Sequence, residues 1–289
     1  MTLRASRHAW VAVLCAAGNI NAVAADAPVN HCMADTICVD GEWRSSDSGR
    51  QLVFTARNLS EFPVTVTLNL RSTAFANGPP EDVITTVQPR ATTALANVMA
   101  LSSEEAAPEY HYKFEWDFGV ANVLHDDDYL YRLPYAAGKS YRILQGYGSR
   151  FSHTGNEHYS VDFDMPRGTP VHAARDGVVM EMVEKFGEGC WEARCRRTAN
   201  YINVLHDDGS TGEYYHLLRD SAEVAVGDKI TRGQFLARSG NSGHSTMPHL
   251  HFGVYESIAW GRTRSLPVRY DSVDGVVDAP GRRQRHVAR

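Results

Sequence analysis

From Gln51 to about Phe118, apolar and polar positions alternate with a period of two, as they do in half-buried β-strands. Val64, Val66, Leu68 and Leu70 alternate with Thr65, Thr67 and Asn69. Tyr110, Tyr112, Phe114, Trp116 and Phe118 alternate with His111, Lys113, Glu115 and Asp117. The stretches "NGPPED" and "VQPRAT" supply turns between such runs. Short strands with polar turns predict an antiparallel β-sandwich, of which an immunoglobulin-like arrangement is one form. The aromatic stripe is read as a core face rather than a sugar-stacking surface. From Tyr141 the texture changes to short strands broken by glycine-rich turns, as in "GYGSRFSHTG", "MPRGTPV" and "AVGDKITRGQFLARSGNSG". No amphipathic helix of useful length interrupts them, so the whole chain is expected to be all-β, in two domains.

The two ends carry a different pattern. Arg4 and Arg7 precede an apolar run from Ala9 to Gly18, followed by the small-residue pattern Ala22-Val23-Ala24, which predicts a cleaved signal peptide over residues 1–24. Leu14 before Cys15 is not the small residue of a lipoprotein signal, so no lipid anchor is expected. No other stretch approaches ~20 apolar residues, so no membrane span is expected. The sandwich is assigned to residues 25–125, a linker to 126–140 and the second β-domain to 141–268. The basic end "PGRRQRHVAR" lacks apolar content, and residues 269–289 are expected to form a disordered tail. Asp126 to Asp128 are read as solvated carboxylates rather than a calcium site.

Charge and cysteines narrow the function. The formal charge is −5, and loss of the leader's two arginines makes it −7, which gives no reason to expect a nucleic-acid partner. Of five cysteines the leader holds one, which leaves Cys32, Cys38, Cys190 and Cys195. Two close pairs in an exported chain predict the disulfides Cys32–Cys38 and Cys190–Cys195, and the spacings lack the C-x2-C of a zinc knot. The expected location is the periplasm or the extracellular space.

Candidate chemistry lies in the second domain. In "PHLHFGV", His249 and His251 share one strand face, while Leu250 and Phe252 point into a core. In "HYSVDFD", His158, Ser160 and Asp162 are likewise expected on one face. One histidine and Asp162 from this segment, with one histidine of H-L-H, supply two nitrogens and an oxygen to a divalent metal. Three protein ligands leave a fourth position for water, as a catalytic zinc site requires. Remaining histidines, among them His216 in "EYYHLL", become candidates for proton transfer. His206 ends a strand at a turn and is read as structural. The stretch "SGNSGHS" is read as a glycine-rich turn before the H-L-H strand, not as the surroundings of a protease serine.

Taken in order, "H-x-x-x-D" leading into "D-x-P-x-G-T-P-V", then "Y-x-H-L", "G-D-x-I-x-x-G-Q", "S-G-N-S-G-x-S" and "P-H-L-H-F" resemble the lysostaphin-type zinc metallopeptidases, also called LytM-like or glycylglycine endopeptidases. The resemblance covers roughly Tyr141 to Tyr255. It implies a duplicated-hybrid-motif domain, a barrel-like β-sandwich with its site in a groove across an antiparallel sheet. It also implies one Zn2+ per chain, held by Asp162, His251 and an upstream histidine, with His216 and His249 as the catalytic pair. The upstream ligand is open between His158, whose spacing to Asp162 matches the motif, and His153, whose "S-H-T-G" supplies an H-x-G pair; His153 is preferred. Tyr214 and Met247 are expected to line the substrate groove. The implied activity is hydrolysis of peptide bonds in bacterial cell-wall peptidoglycan. The rival is a non-catalytic relative that binds peptidoglycan or regulates a hydrolase. The sequence departs from the family pattern at Ser160, where a glycine is usual, and at Met247, where a small residue is usual.

Overall fold

The computed structural model describes residues 9–13, 31–46, 49–71, 81–100 and 110–289. The expected signal-peptide cleavage point and most of the leader lie outside these residues. No α-helix occurs among the described residues, so the all-β expectation holds. The chain divides into two compact units, one of Ser6–Ala121 with Ser257–Arg262, the other of Asn122–Glu256 with Thr263–Arg289.

The first unit is a sandwich of two four-stranded antiparallel sheets. One contains β1 (Ala9–Val13), β8 (Tyr110–Phe118), β5 (Val64–Arg71) and β6 (Val83–Val87), in that spatial order. The other contains β2 (His31–Met33), β3 (Ile37–Ser46), β4 (Gly49–Asn58) and β7 (Thr92–Met99). The period-two runs explain the shared core. Val64, Val66, Leu68 and Leu70 of β5 and Tyr110, Tyr112, Phe114 and Trp116 of β8 are buried together with Ile37, Leu52 and Phe54. The aromatic stripe is thus a core face, as its alternation predicts. Cys32 and Cys38 are joined across the β2–β3 hairpin.

The second unit is built on a long antiparallel sheet. Its strands are β9 (Leu130–Arg132), β10 (Ser140–Gln145), β11 (Val161–Phe163), β12 (Pro170–His172), β13 (Gly177–Val183), β14 (Tyr201–Leu205), β15 (Thr211–Tyr215), β16 (Lys229–Ile230), β17 (Phe235–Arg238), β18 (Leu250–Ile258), β19 (Arg262–Leu266), β20 (Arg269–Ser272), β21 (Gly275–Val277) and β22 (Arg285–Val287). The main sheet runs β16-β13-β14-β15-β18-β11-β10-β22, with β19 beside β18, and β12 pairs with β17 in a separate ribbon. The sheets are open, so the barrel-like expectation resolves into layered sheets that do not close on themselves. One core joins them, with Val161, Phe163, Leu250, Phe252, Tyr214 and Val171 fully buried.

Two boundary expectations are corrected. Residues 126–140 are not a linker, because Tyr131, Leu133 and Tyr135 are buried in the core of this unit. Residues 269–289 are not a disordered tail. β22 pairs with β10, β20 pairs in parallel with β9, and Val268, Tyr270 and Ala288 are buried. The arginines that made this end look solvated stay outward, while its order comes from backbone pairing and a few apolar anchors. Tyr135 donates its hydroxyl to the carbonyl of His286 at 2.7 Å, a long-range bond no local pattern reveals.

Candidate active site and metal centre

The centre of the site is set by strand register. β11 and β18 pair antiparallel with Asp162 opposite His251, so both side chains leave the same face of the sheet. Their neighbours Val161, Phe163, Leu250 and Phe252 enter the core on the opposite face. His153 arrives from the turn before a short 3-10 segment, Gly155–Glu157, and is fully buried. Glycine at 155 takes a φ of 58°, in the left-handed region where a side chain is disfavoured, and so lets the chain reverse after His153.

His153, Asp162 and His251 offer one ligand atom each within 4.8 Å of one another, and all three are buried. Nδ1 of His251 lies 2.8 Å from Oδ1 of Asp162, and Nε2 of His153 lies 3.2 Å from the same oxygen. The outer nitrogens fix the tautomers. His251 Nε2–H donates to the hydroxyl of Tyr255 at 3.0 Å, and that hydroxyl donates to Oε2 of Glu157 at 2.7 Å. His153 Nδ1–H faces the carbonyl of Gly146 at 3.3 Å. The inner nitrogens therefore present lone pairs to a carboxylate, and His153 Nε2 has no hydrogen-bond partner although it is buried. Three acceptors converging in a buried place fit a cation, and two imidazoles with one carboxylate suit zinc. Gln145 Nε2 donates to Oδ2 of Asp162 at 2.6 Å and holds the carboxylate in place.

Electrostatics agree with a cluster kept ready for a cation. Burial alone pushes the Asp162 carboxyl upward, but the charge of His249 and the close approach of the His153 and His251 rings outweigh it and hold the group well below the usual range. Burial lowers His251, against the opposing pull of Asp162, and favours its neutral form.

Two more histidines flank this cluster. His216 follows β15 directly and adopts a φ of 64°, a strained conformation for a non-glycine residue and one often seen at functional sites. Ser242 and Asn200 brace the turn by hydrogen bonds to the carbonyl of Leu217, at 2.8 and 3.1 Å. His216 Nδ1–H donates to the carbonyl of Ser242 at 2.7 Å, and His249 Nδ1–H to that of Met247 at 2.8 Å. Each thus turns Nε2 inward. The two rings are 4.5 Å apart, and His249 Nε2 lies 3.8 Å from Oδ1 of Asp162. Burial, then the charges of His249 and His251, hold His216 well below its ordinary value, so it is a neutral base near pH 7.

The cluster opens on a groove of about 800 Å³ lined by Asp162, His216, His249 and His251, and by Met247 on one wall. Several expected residues lie elsewhere. His158 does not join the cluster: it caps the 3-10 segment, is exposed, and packs its ring against Tyr159 at 4.6 Å. The strand expected to carry it begins only at Val161, so no common face with Asp162 exists. Tyr214 is not a groove residue. It pairs with Phe252 across β15 and β18, which places it on the core face, and its hydroxyl accepts from the amide of Ala174. Its neighbour Tyr215, opposite His251, faces the site with ring centroids 6.2 Å apart. His206 is buried and hydrogen-bonded to the carbonyl of Asp176, in line with a structural role. Sequence reading missed Gln145, Glu157 and Tyr255. Tyr255 carried a signal, because it lies four residues beyond His251 and on the same strand face. The departure at Ser160 also finds a place, for its buried hydroxyl lies 2.9 Å from that of Tyr255.

A groove across an antiparallel sheet, with a His/Asp/His centre and two flanking histidines, defines a metallopeptidase-like β-domain. Residues 156–264 match the model of Peptidase family M23, and the chain carries a domain of that family. It is 38% identical over 116 residues to the glycyl-glycine endopeptidase ALE-1 of Staphylococcus capitis, a match spanning 39% of this chain and 29% of that protein. It is 37% identical over 116 residues to lysostaphin of Staphylococcus simulans, spanning 39% of this chain and 21% of that one. It is 34% identical over 132 residues to the peptidoglycan DD-endopeptidase ShyA of Vibrio cholerae, spanning 44% of this chain and 27% of that one. The chain thus spans less than a third of the length of each of these relatives. Among solved structures, the catalytic domain of lysostaphin from Staphylococcus simulans aligns at 32% identity over 44% of this chain and 87% of that one, with a TM-score of 0.32. No helix among the described residues is long and apolar enough to cross a membrane.

Proposed function

We propose that this protein is an exported zinc metalloendopeptidase that hydrolyses peptide bonds of bacterial cell-wall peptidoglycan. The observation that carries the reading is the convergence of His153 Nε2, Asp162 Oδ1 and His251 Nδ1, three buried acceptors with their outer atoms already committed elsewhere. His153, Asp162 and His251 would hold Zn2+, with His153 rather than His158 as the upstream ligand. Zinc bound there would supply Lewis acidity, the chemistry that makes hydroxide available near neutral pH and polarises a carbonyl.

The chain's own groups do the rest. His216, kept neutral by burial, accepts a proton at Nε2, and its bond to Ser242 keeps that nitrogen turned inward. His249 presents its own Nε2 from the other strand, placed to stabilise a developing oxyanion or to return a proton to the leaving amine. The named activities of the relatives, a glycyl-glycine endopeptidase and a peptidoglycan DD-endopeptidase, support a peptide of the cell wall as substrate. The two disulfides support life in an oxidising compartment, periplasmic or extracellular.

The test is digestion of purified peptidoglycan, with mass spectrometry of the fragments. New amino and carboxyl termini are expected with the zinc-loaded protein, none after chelation, and their return on adding Zn2+. Binding to the sacculus without new termini would favour the non-catalytic alternative.

A further inference from the structure

The groove beside the metal cluster is strongly one-sided in charge and carries an exposed aromatic wall. Arg150, Arg196 and Arg282 line it, and the only carboxylate among its described lining residues is Asp162, already committed to the histidine cluster. None of the three guanidinium groups forms an ion pair among the described residues, and Nε of Arg196 is buried without a partner. Trp191 is 53% exposed and Phe151 71% exposed. Their rings stack at 5.4 Å, and Trp191 stacks in turn on His244 at 4.2 Å and 14°.

This wall is built rather than incidental. Trp191 follows Cys190, whose disulfide to Cys195 closes a short loop, and Arg196 comes directly after it. The loop is tied down by amide bonds from Gly189 to the carbonyl of Asn241 at 2.6 Å, and from Cys190 to that of Gly243 at 2.9 Å. A Cβ at Gly189 would stand 2.3 Å from the carbonyl oxygen of Gly243, so the close approach needs glycine. A guanidinium matches a carboxylate bidentately, and a flat aromatic plate covers an aliphatic stem. A polyglycine bridge has neither a charge for the arginines nor a side chain for the plate.

We propose that this groove selects a peptide whose residues carry free carboxylates on aliphatic stems, an acidic stem peptide of the cell wall, over an uncharged glycine bridge. The proposal rests on the peptidase reading of the same site. Arg196 and Arg282 grip the carboxylate, and the Trp191 plate packs against the stem beside it.

The experiment uses the zinc-loaded full chain with three probes: cross-linked muropeptides with free carboxylates, the same muropeptides converted to carboxamides, and pentaglycine. Hydrolysis gives kcat/KM, and fluorescence anisotropy of labelled probes gives binding whether or not hydrolysis occurs. The acid form is expected to exceed the carboxamide by at least tenfold in both. In Arg196→Gln combined with Arg282→Gln, that ratio falls below about threefold. Arg219→Gln, a charge loss at an exposed arginine paired with Asp220, leaves the ratio as it was. Equal handling of acid and carboxamide, or preference for pentaglycine, would overturn the proposal. Hydrolysis of none of the three probes would count against the peptidase reading. In that event the anisotropy ratio alone decides the groove's preference: tenfold tighter binding of the acid sustains it, and equal binding overturns it.

Discussion

Tyr255→Phe removes a single oxygen from the support of the metal cluster. In the native site that hydroxyl accepts from His251 Nε2 at 3.0 Å, donates to Glu157 Oε2 at 2.7 Å and lies 2.9 Å from Ser160 Oγ, all in buried surroundings. Without it the imidazole loses the acceptor that fixes its tautomer, and Nδ1 no longer carries an assured lone pair toward Asp162. Outer partners of this kind are typically worth about 10- to 100-fold in metal affinity, or about 1.4–2.7 kcal/mol. Glu157 Oε2 is 3.8 Å from His251 Nε2, too long for a hydrogen bond but near enough to move in, which favours the lower end of that range. The metal-free fold should lose about 1–3 kcal/mol for the buried groups left without the hydroxyl. Competition with a chromophoric zinc chelator at pH 7.5 measures the first effect, and urea unfolding of metal-free protein the second. Zinc affinity within twofold of the native protein would refute the reasoning, whatever the unfolding curves show.

Gly253→Ala reaches the same network from the other side. A Cβ there would stand 2.7 Å from the Tyr255 ring, so the variant should lower zinc affinity in the same chelator competition. His216→Ala and His249→Ala should keep the metal and lose ~10²–10⁴-fold in kcat, read from metal analysis beside steady-state kinetics. His206, lowered by burial to about 4 from 6.5, stabilises the fold fully above pH 6.5 and progressively loses that contribution as pH falls toward 4. That window is worth roughly 3 kcal/mol. Between pH 7 and 4.5 the native chain should therefore lose about that much more unfolding free energy than His206→Gln, and parallel pH profiles would contradict the assignment.

Strand chemistry was readable where period-two patterns speak for themselves. The alternation in Val64 to Leu70 and Tyr110 to Phe118 specifies a sandwich core, and H-L-H specifies which face of β18 meets the site. Reading failed where one residue of register or a long-range pairing decides. Tyr214 and Tyr215 are equivalent as composition, yet only pairing with β18 tells that 214 lies over Phe252 and 215 over His251. The run "HYSVDFD" looks like seven residues of strand, but the 3-10 segment Gly155–Glu157 delays the strand to Val161 and leaves His158 outside. The basic C-terminal end shows little apolar content, and its order comes from β22 adding to β10, over 130 residues earlier in the chain. The groove's arginines and aromatics, Arg150 with Phe151, Trp191 with Arg196, and Arg282, come from three separate segments, so no single stretch announces them.

The most direct measurement is the zinc content of the purified native chain, His153→Ala and His158→Ala, by elemental mass spectrometry after dialysis against metal-free buffer. The cluster of His153, Asp162 and His251 predicts about one zinc per chain in the native protein and in His158→Ala, and close to none in His153→Ala. A native chain without zinc, or a His158→Ala variant that loses the metal while His153→Ala keeps it, would contradict the account.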